Sequence, residues 1–399
     1  MLRSPYMTNV RNASFPNLLT KLVILLILEL VAGCGLNRSQ STSSVRGSGP
    51  NQQSAPVPTA TADRTTKCQG CAVLPAVRPT YRVWFGTNRR PTKALDDFTD
   101  ERDSDLHLGY CDVYVPVSHV FGELGSSWIV RLIEFDDDRL KIDQVKSLSQ
   151  LAFQTLLSEE LRSDSVPGKR SALVYIHGFN NTFKEAAMRA AQIGYDLKIE
   201  GITAFFSWPS RGSASEYIAD GSAVDASEQA LKNYLELLSA NPEVERLDIL
   251  AHSMGNRALL RIISQLRADS AIKPIRNIIL AAPDVDLDVF RQLAIEYPTL
   301  AVGRTTLYIS SRDRAIRASE ILNDYPRAGY APPVVILRGI DTIEASKVDF
   351  GLIGHGYYAE SHDLLHDMFD ILHHGDPPGT RPRLKSMRDS SGSSYWTFR

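Results

Sequence analysis

The stretch Leu247-Asp248-Ile249-Leu250-Ala251-His252-Ser253-Met254-Gly255-Asn256 decides how this chain reads. Leu247–Leu250 is short and largely apolar, as a strand in the middle of a parallel sheet is, and helical spacing begins after Ser253. Between them Ala251-His252-Ser253-Met254-Gly255 has the pattern small-x-Ser-x-small. That pattern suits a sharp strand-to-helix turn with the serine at its tip. The positions two before and two after must be small, because larger side chains would strike the adjacent strand and helix. The helix N-terminus then points backbone N–H groups at the site, where they stabilise developing negative charge. The bland alternative is a buried serine at an ordinary strand–helix junction.

Outward from this turn, strand-like and helix-like segments alternate. Ala172–Ile176 is a continuous apolar run ending at His177-Gly178-Phe179-Asn180-Asn181-Thr182. Strands are predicted at Thr203–Phe206, Ile275–Ala281, Leu307–Ser310 and Thr342–Val348. Helices are predicted near Thr182–Lys198, Ala214–Leu238, Ala315–Leu322 and Asp363–Leu372. This alternation argues for an α/β fold, a mostly parallel sheet with helices on both faces. Tyr81–Phe85, Gly109–Val115 and Trp128–Phe135 read as strands with no helix between them, so the sheet is expected to start antiparallel. Val145–Leu161 carries helical spacing. The tail after Gly375 is rich in Pro, Gly, Ser and Arg and is expected to be loose.

Composition narrows the function classes. In 399 residues, 44 Lys+Arg against 46 Asp+Glu leave a net charge of −2. Nucleic-acid binders usually carry a basic excess, so no nucleic-acid partner is expected. The 43% hydrophobic content excludes global disorder. Four cysteines are too few for a disulfide scaffold. Cys68 and Cys71 form a C-x-x-C pair without the second ligand pair a zinc site needs, which leaves a local disulfide or two free thiols. Cys111, in an alternating strand-like run, reads as a small buried apolar residue. With no phosphate-binding glycine loop either, no metal or organic cofactor is expected.

The N-terminus reads as an address. Arg3, Arg11 and Lys21 precede the apolar run Leu22–Leu30, followed by Val31-Ala32-Gly33-Cys34. A basic region, a short apolar region and small residues make a secretory signal, and the run is too short to span a bilayer comfortably. The last four residues resemble a bacterial lipobox, which would lipidate Cys34 and anchor an exported protein to the membrane of the cell envelope. Glu29 inside the run, and Met7 as an alternative start, leave a plain signal with an incidental cysteine as the other reading. Residues 1–34 are thus the signal and 35–77, poor in large apolar residues, a disordered tether. Residues 78–375 are the folded domain and 376–399 the loose tail.

The motifs YRVWFGTNR (Tyr81–Arg89), LVYIHGFNNTF (Leu173–Phe183), LDILAHSMGN (Leu247–Asn256) and LAAPDVD (Leu280–Asp286) together resemble one family. It is a bacterial branch of the α/β-hydrolase superfamily long known only as a domain of unknown function. The resemblance covers about Arg78 to Leu372. It implies the α/β-hydrolase fold and a serine hydrolase site, and brings no defined substrate.

That fold orders its triad Ser, acid, His along the chain. Ser253 is the expected nucleophile. His355, in a Gly-flanked loop after the last predicted strand, is the favoured base, with His362 the alternative; His177 precedes the serine and reads as a loop-organising residue. Asp313 follows the penultimate strand and is the favoured acid, although it is also a plausible helix N-cap. Asp284 is the alternative acid. The backbone N–H groups of Phe179 and Met254 are the expected oxyanion donors. HGFNNT also reads as a helix-capping turn with Asn181 at the cap. These roles describe a serine hydrolase, a carboxylesterase or lipase-like enzyme, acting on a small-molecule acyl substrate through an acyl-enzyme. The rivals are an inactive envelope scaffold on the same fold and an acyltransferase. Trp208 and Tyr217 are candidates to contact an acyl group, or else to pack. Oligomeric state is not legible.

Overall fold

The computed structural model describes residues 80–116, 119, 121, 140–164, 167–268, 272–273, 275–347 and 361–399. The signal with Cys34, the tether with Cys68 and Cys71, the strand expected at Trp128–Phe135 and the favoured base His355 lie outside the described residues.

Eleven described strands form one sheet: β1 (Thr80–Pro91), β2 (Phe98–Tyr114), β3 (Lys141–Leu148), β4 (Ser171–Ile176), β5 (Gly201–Ser207), β6 (Arg246–His252), β7 (Ile275–Ala281), β8 (Thr305–Ile309), β9 (Ile340–Glu344), β10 (Leu384–Arg388) and β11 (Ser394–Phe398). Their order is β10-β11-β9-β8-β7-β6-β4-β5-β1-β2-β3. From β11 through to β1 every neighbouring pair is parallel. The antiparallel pairs are β1–β2, β2–β3 and the terminal β10–β11. The expected mostly parallel sheet with an antiparallel N-terminal start is the observed one.

The helices are α1 (Gln150–Asp164), α2 (Phe183–Asp196), α3 (Tyr217–Asp225), α4 (Glu228–Ala240), α5 (Gly255–Ala268), α6 (Leu287–Leu293), α7 (Tyr297–Leu300), α8 (Arg314–Asn323) and α9 (Ser361–Phe369). Side-chain alternation along the strands splits the core in two. Ala172, Val174 and Ile176 of β4 pack with Phe153 of α1, Leu231 of α4 and Leu259 of α5 on one face. Leu173 and Tyr175 of β4 pack with Phe183 and Ala187 of α2 and Leu364 of α9 on the other. Helices therefore cover both faces, which is why β4 is buried at every position, and apolar from Ala172 to Ile176, rather than at alternate ones. Cys111 is fully buried, and burial pushes its thiol well up. No helix among the described residues is long and apolar enough to cross a membrane.

Four expectations are corrected. Val145–Leu148 belongs to β3, not to a helix, because it pairs with β2; α1 starts only at Gln150. The single helix expected over Ala214–Leu238 breaks between α3 and α4, where the Ser227 hydroxyl donates to Ala223 O (2.8 Å) and accepts from Asn88 Nδ2 (2.9 Å). The cap of α2 is Thr182 rather than Asn181: Thr182 and Glu185 form a reciprocal capping box. The tail after Gly375 is not loose. β10 and β11 close the sheet edge on β9, and Arg381 is buried against Asp367 (2.8 Å), whose other donor is the Tyr308 hydroxyl (2.6 Å). Burial raises the Asp367 carboxyl to about 6. Composition hides this hairpin, because it is held by one buried ion pair and by Leu384 and Phe398 rather than by an apolar run.

Candidate active site

Ser253 sits where β6 turns into α5, with φ at +48°. That left-handed conformation is costly for an L residue and persists only where the surroundings enforce it. Here they do. The Ser253 N–H donates to Ala281 O on β7 (2.9 Å), and its carbonyl accepts from the N–H groups of Asn256 and Asp284 (both 3.1 Å). The Asn256 side chain adds donations to the carbonyls of Ala251 (3.0 Å), Ser253 (3.1 Å) and Ala281 (3.3 Å). The turn is thus braced against β7 from both sides.

The two glycines at the site are required by close approach. A Cβ on Gly255 would lie 2.5 Å from His177 O and 2.8 Å from Ile176 O. A Cβ on Gly178 would lie 2.9 Å from both Ser253 Cβ and His252 Nδ1. The loop after β4 therefore lies directly against the serine, and Phe179 is the next residue along it. Ser253 is 3% exposed and Met254 is buried.

His177 is buried at the root of that loop. Its Nδ1 lies 2.7 Å from Gly178 O, which can only accept, so Nδ1 carries the proton and Nε2 accepts from the Ser207 hydroxyl (3.2 Å). Burial, reinforced by the Arg89 charge, lowers its pKa to about 3. The ring stacks on Trp208 at 5.0 Å, and Trp208 Nε1 donates to His177 O (2.8 Å). Trp208 and Tyr217 are both buried, so they pack rather than line an open mouth.

The acids occupy different environments. Asp284 follows β7 and is 4% exposed. Its Oδ2 accepts from Tyr217 (2.6 Å), and its Oδ1 accepts from Ser319 (2.5 Å) and faces Arg327 Nε (3.4 Å). Burial and the Asp284 charge push the Tyr217 hydroxyl far up, so it stays a donor. Asp313 follows β8, half-buried, and its Oδ1 accepts from Ile316 N (2.9 Å) as the N-cap of α8. His362 is exposed on the first turn of α9, its ring 5.4 Å from that of Phe121. The carboxyl ends of β6, β7 and β8 thus bring Ser253, Asp284 and Asp313 to one edge of the sheet. No group of three or more His, Cys, Asp or Glu suited to a metal occurs among the described residues.

A cleft of about 540 Å³ opens beside this edge, lined in part by Arg90, Arg102, Pro209 and Arg211. A second, of about 650 Å³, is lined by residues of β2, α1 and α4. Ser253 lines neither. Sequence reading missed Arg89 and Asp220, two buried charges beside the loop after β4. Arg89 carried a signal, its place at the end of the motif Tyr81–Arg89; Asp220, inside a helical segment, carried none.

Eight mutually parallel strands with a strained serine at their carboxyl edge define an α/β hydrolase. The model of the family described as "Alpha/beta hydrolase of unknown function (DUF900)" matches residues 149–371, more than half of the chain, and the chain belongs to that family. No curated protein matches. Among solved structures, it is similar to a "putative cell surface hydrolase" from Lactobacillus plantarum WCFS1, at 11% identity and a TM-score of 0.34, over 53% of this chain and 94% of that one. It is also similar to an uncharacterised protein from Capnocytophaga ochracea DSM 7271, at 8% identity and a TM-score of 0.27, over 68% of this chain and 62% of that one.

Proposed function

We propose that this chain is a serine hydrolase of carboxylic esters, with Ser253 as nucleophile, His355 as base and Asp313 as acid. The observation that carries the reading is the backbone of Ser253, held at φ +48° with the loop after β4 pressed against it. Strain of this kind is retained where a function needs it. His355 takes the Ser253 proton as Oγ attacks the acyl carbonyl, and the N–H groups of Phe179 and Met254 hold the oxyanion. The alcohol leaves with the proton from His355, and water then releases the acyl group with the same base. Asp313 orients the histidine. The engagement of both Asp284 oxygens with Tyr217, Ser319 and Arg327 favours Asp313 over Asp284 as that partner. A fluorophosphonate probe should label the wild type and leave Ser253→Ala unlabelled; equal labelling of both removes Ser253 from the mechanism.

We also propose that the chain is exported and anchored at the cell envelope through lipidated Cys34. Wild-type protein should need detergent to leave the membrane fraction, and Cys34→Ser should be released or held as precursor. A soluble, unacylated wild type sinks this reading and leaves the hydrolase reading standing.

A further inference from the structure

The motif Tyr81–Arg89 ends in an arginine that the serine chemistry leaves unused. Arg89 is 1% exposed, and burial lowers its guanidinium to about 10. A buried cation is expensive unless its N–H groups find partners. Arg89 Nε donates to Ser207 Oγ (2.9 Å), Nη1 to the carbonyls of Ser210 (2.9 Å) and Thr99 (3.4 Å), and Nη2 to the carbonyl of Asn181 (2.7 Å). Ser207 passes the contact on to His177. One guanidinium therefore grips the loop after β4 at both ends, His177 through Ser207 and Asn181 directly.

A buried carboxylate holds the middle. Asp220 Oδ2, on α3, accepts from the Ser210 hydroxyl (2.5 Å) and from Asn180 N–H (3.3 Å), and Oδ1 accepts from Arg211 N–H (2.9 Å). Ser210 Oγ accepts in turn from Asn181 N–H (3.1 Å). Asn180 is held at φ +57°. Phe179 lies between Gly178, pressed on Ser253, and Asn180, tied to Asp220, so the direction of its N–H is set on both sides. Well-packed apolar residues would stabilise such a site as well as two opposite buried charges do.

We propose that Arg89 and Asp220 are positioning residues, a buried clamp of opposite charges that aims the Phe179 N–H at the oxyanion formed on attack by Ser253. The inference rests on the serine-nucleophile reading. It assigns the YRVWFGTNR motif a role in rate rather than in folding alone.

Fluorophosphonate labelling separates the two roles without knowledge of the substrate. Its amplitude counts folded, competent sites, and its rate constant reports stabilisation of the charge that develops on the probe oxygen. Asp220→Asn and the milder Ser210→Ala should keep the amplitude and lose about tenfold or more in rate, since a donor misplaced by about 1 Å costs on the order of a hundredfold. Wild-type rate per competent site in both variants, with or without lost amplitude, overturns the clamp. Labelling of Ser253→Ala as fast as wild type instead overturns the nucleophile reading, and the clamp falls with it. Unchanged rates in both variants beside an unlabelled Ser253→Ala overturn the clamp alone.

Discussion

Gly255→Ala tests the geometry of the serine turn with a single methyl group. The new Cβ would meet His177 O at 2.5 Å and Ile176 O at 2.8 Å, both backbone atoms of the neighbouring β4 end. Cβ atoms essentially never approach closer than 3.0 Å, so the turn must retreat by at least 0.5 Å (3.0 − 2.5) or carry the overlap. Overpacking of this kind costs about 1–3 kcal/mol. At roughly 2–4 °C per kcal/mol for domains of 150–250 residues, Tm should fall by several degrees. The retreat moves Ser253 relative to the loop after β4. Because a 1 Å misplacement costs on the order of a hundredfold, half of that should cost roughly tenfold in labelling or turnover per folded site. Gly379→Ala is the matched control, since its Cβ would meet only the Trp396 ring, at an ordinary 3.5 Å. Thermal unfolding and probe-labelling kinetics on the two variants check both numbers. A Gly255→Ala protein with wild-type Tm and wild-type rate would refute the close packing of β4 against the turn, and with it the reason for a small residue there.

Two further outcomes follow from the site. Asp313→Asn should cut turnover by up to about four orders of magnitude, as loss of the acid does in the serine-protease template. Asp284→Asn should act mainly on Tm, because it leaves buried Arg327 without its carboxylate; a larger rate loss at Asp284 than at Asp313 reverses the assignment of the acid. For pH, His177 stays neutral in the fold down to about 3 against an ordinary 6.5, so below 6.5 the unfolded chain binds the extra proton. Its contribution is full above pH 6.5 and is lost as pH falls toward 3. The stability advantage of wild type over His177→Gln should therefore shrink by roughly 2–3 kcal/mol between pH 6.5 and 4.5. Denaturant unfolding at the two pH values measures it, and a pH-independent difference would show that His177 protonates freely in the fold.

What the sequence by itself determined about this protein is what short-range chemistry dictates. The continuous apolar run Ala172–Ile176 suits a strand covered on both faces, and the small residues around Ser253 admit a turn that larger ones would block. Together with the alternation of strand-like and helix-like segments along the chain, those stretches point to the parallel sheet and to the turn that carries Ser253. Tertiary structure alone decided the rest. Val145–Leu148 has helical spacing and is a strand, because β2 offers it a ladder that local propensity cannot see. The Pro- and Arg-rich tail folds because β9 presents an open edge and Asp367 a buried charge for Arg381. Arg89 and Asp220 lie 131 positions apart in the sequence (220 − 89) and brace the same loop through Ser210. A buried charge is tolerable only where distant backbone groups converge on it, and that convergence exists only once the sheet has closed.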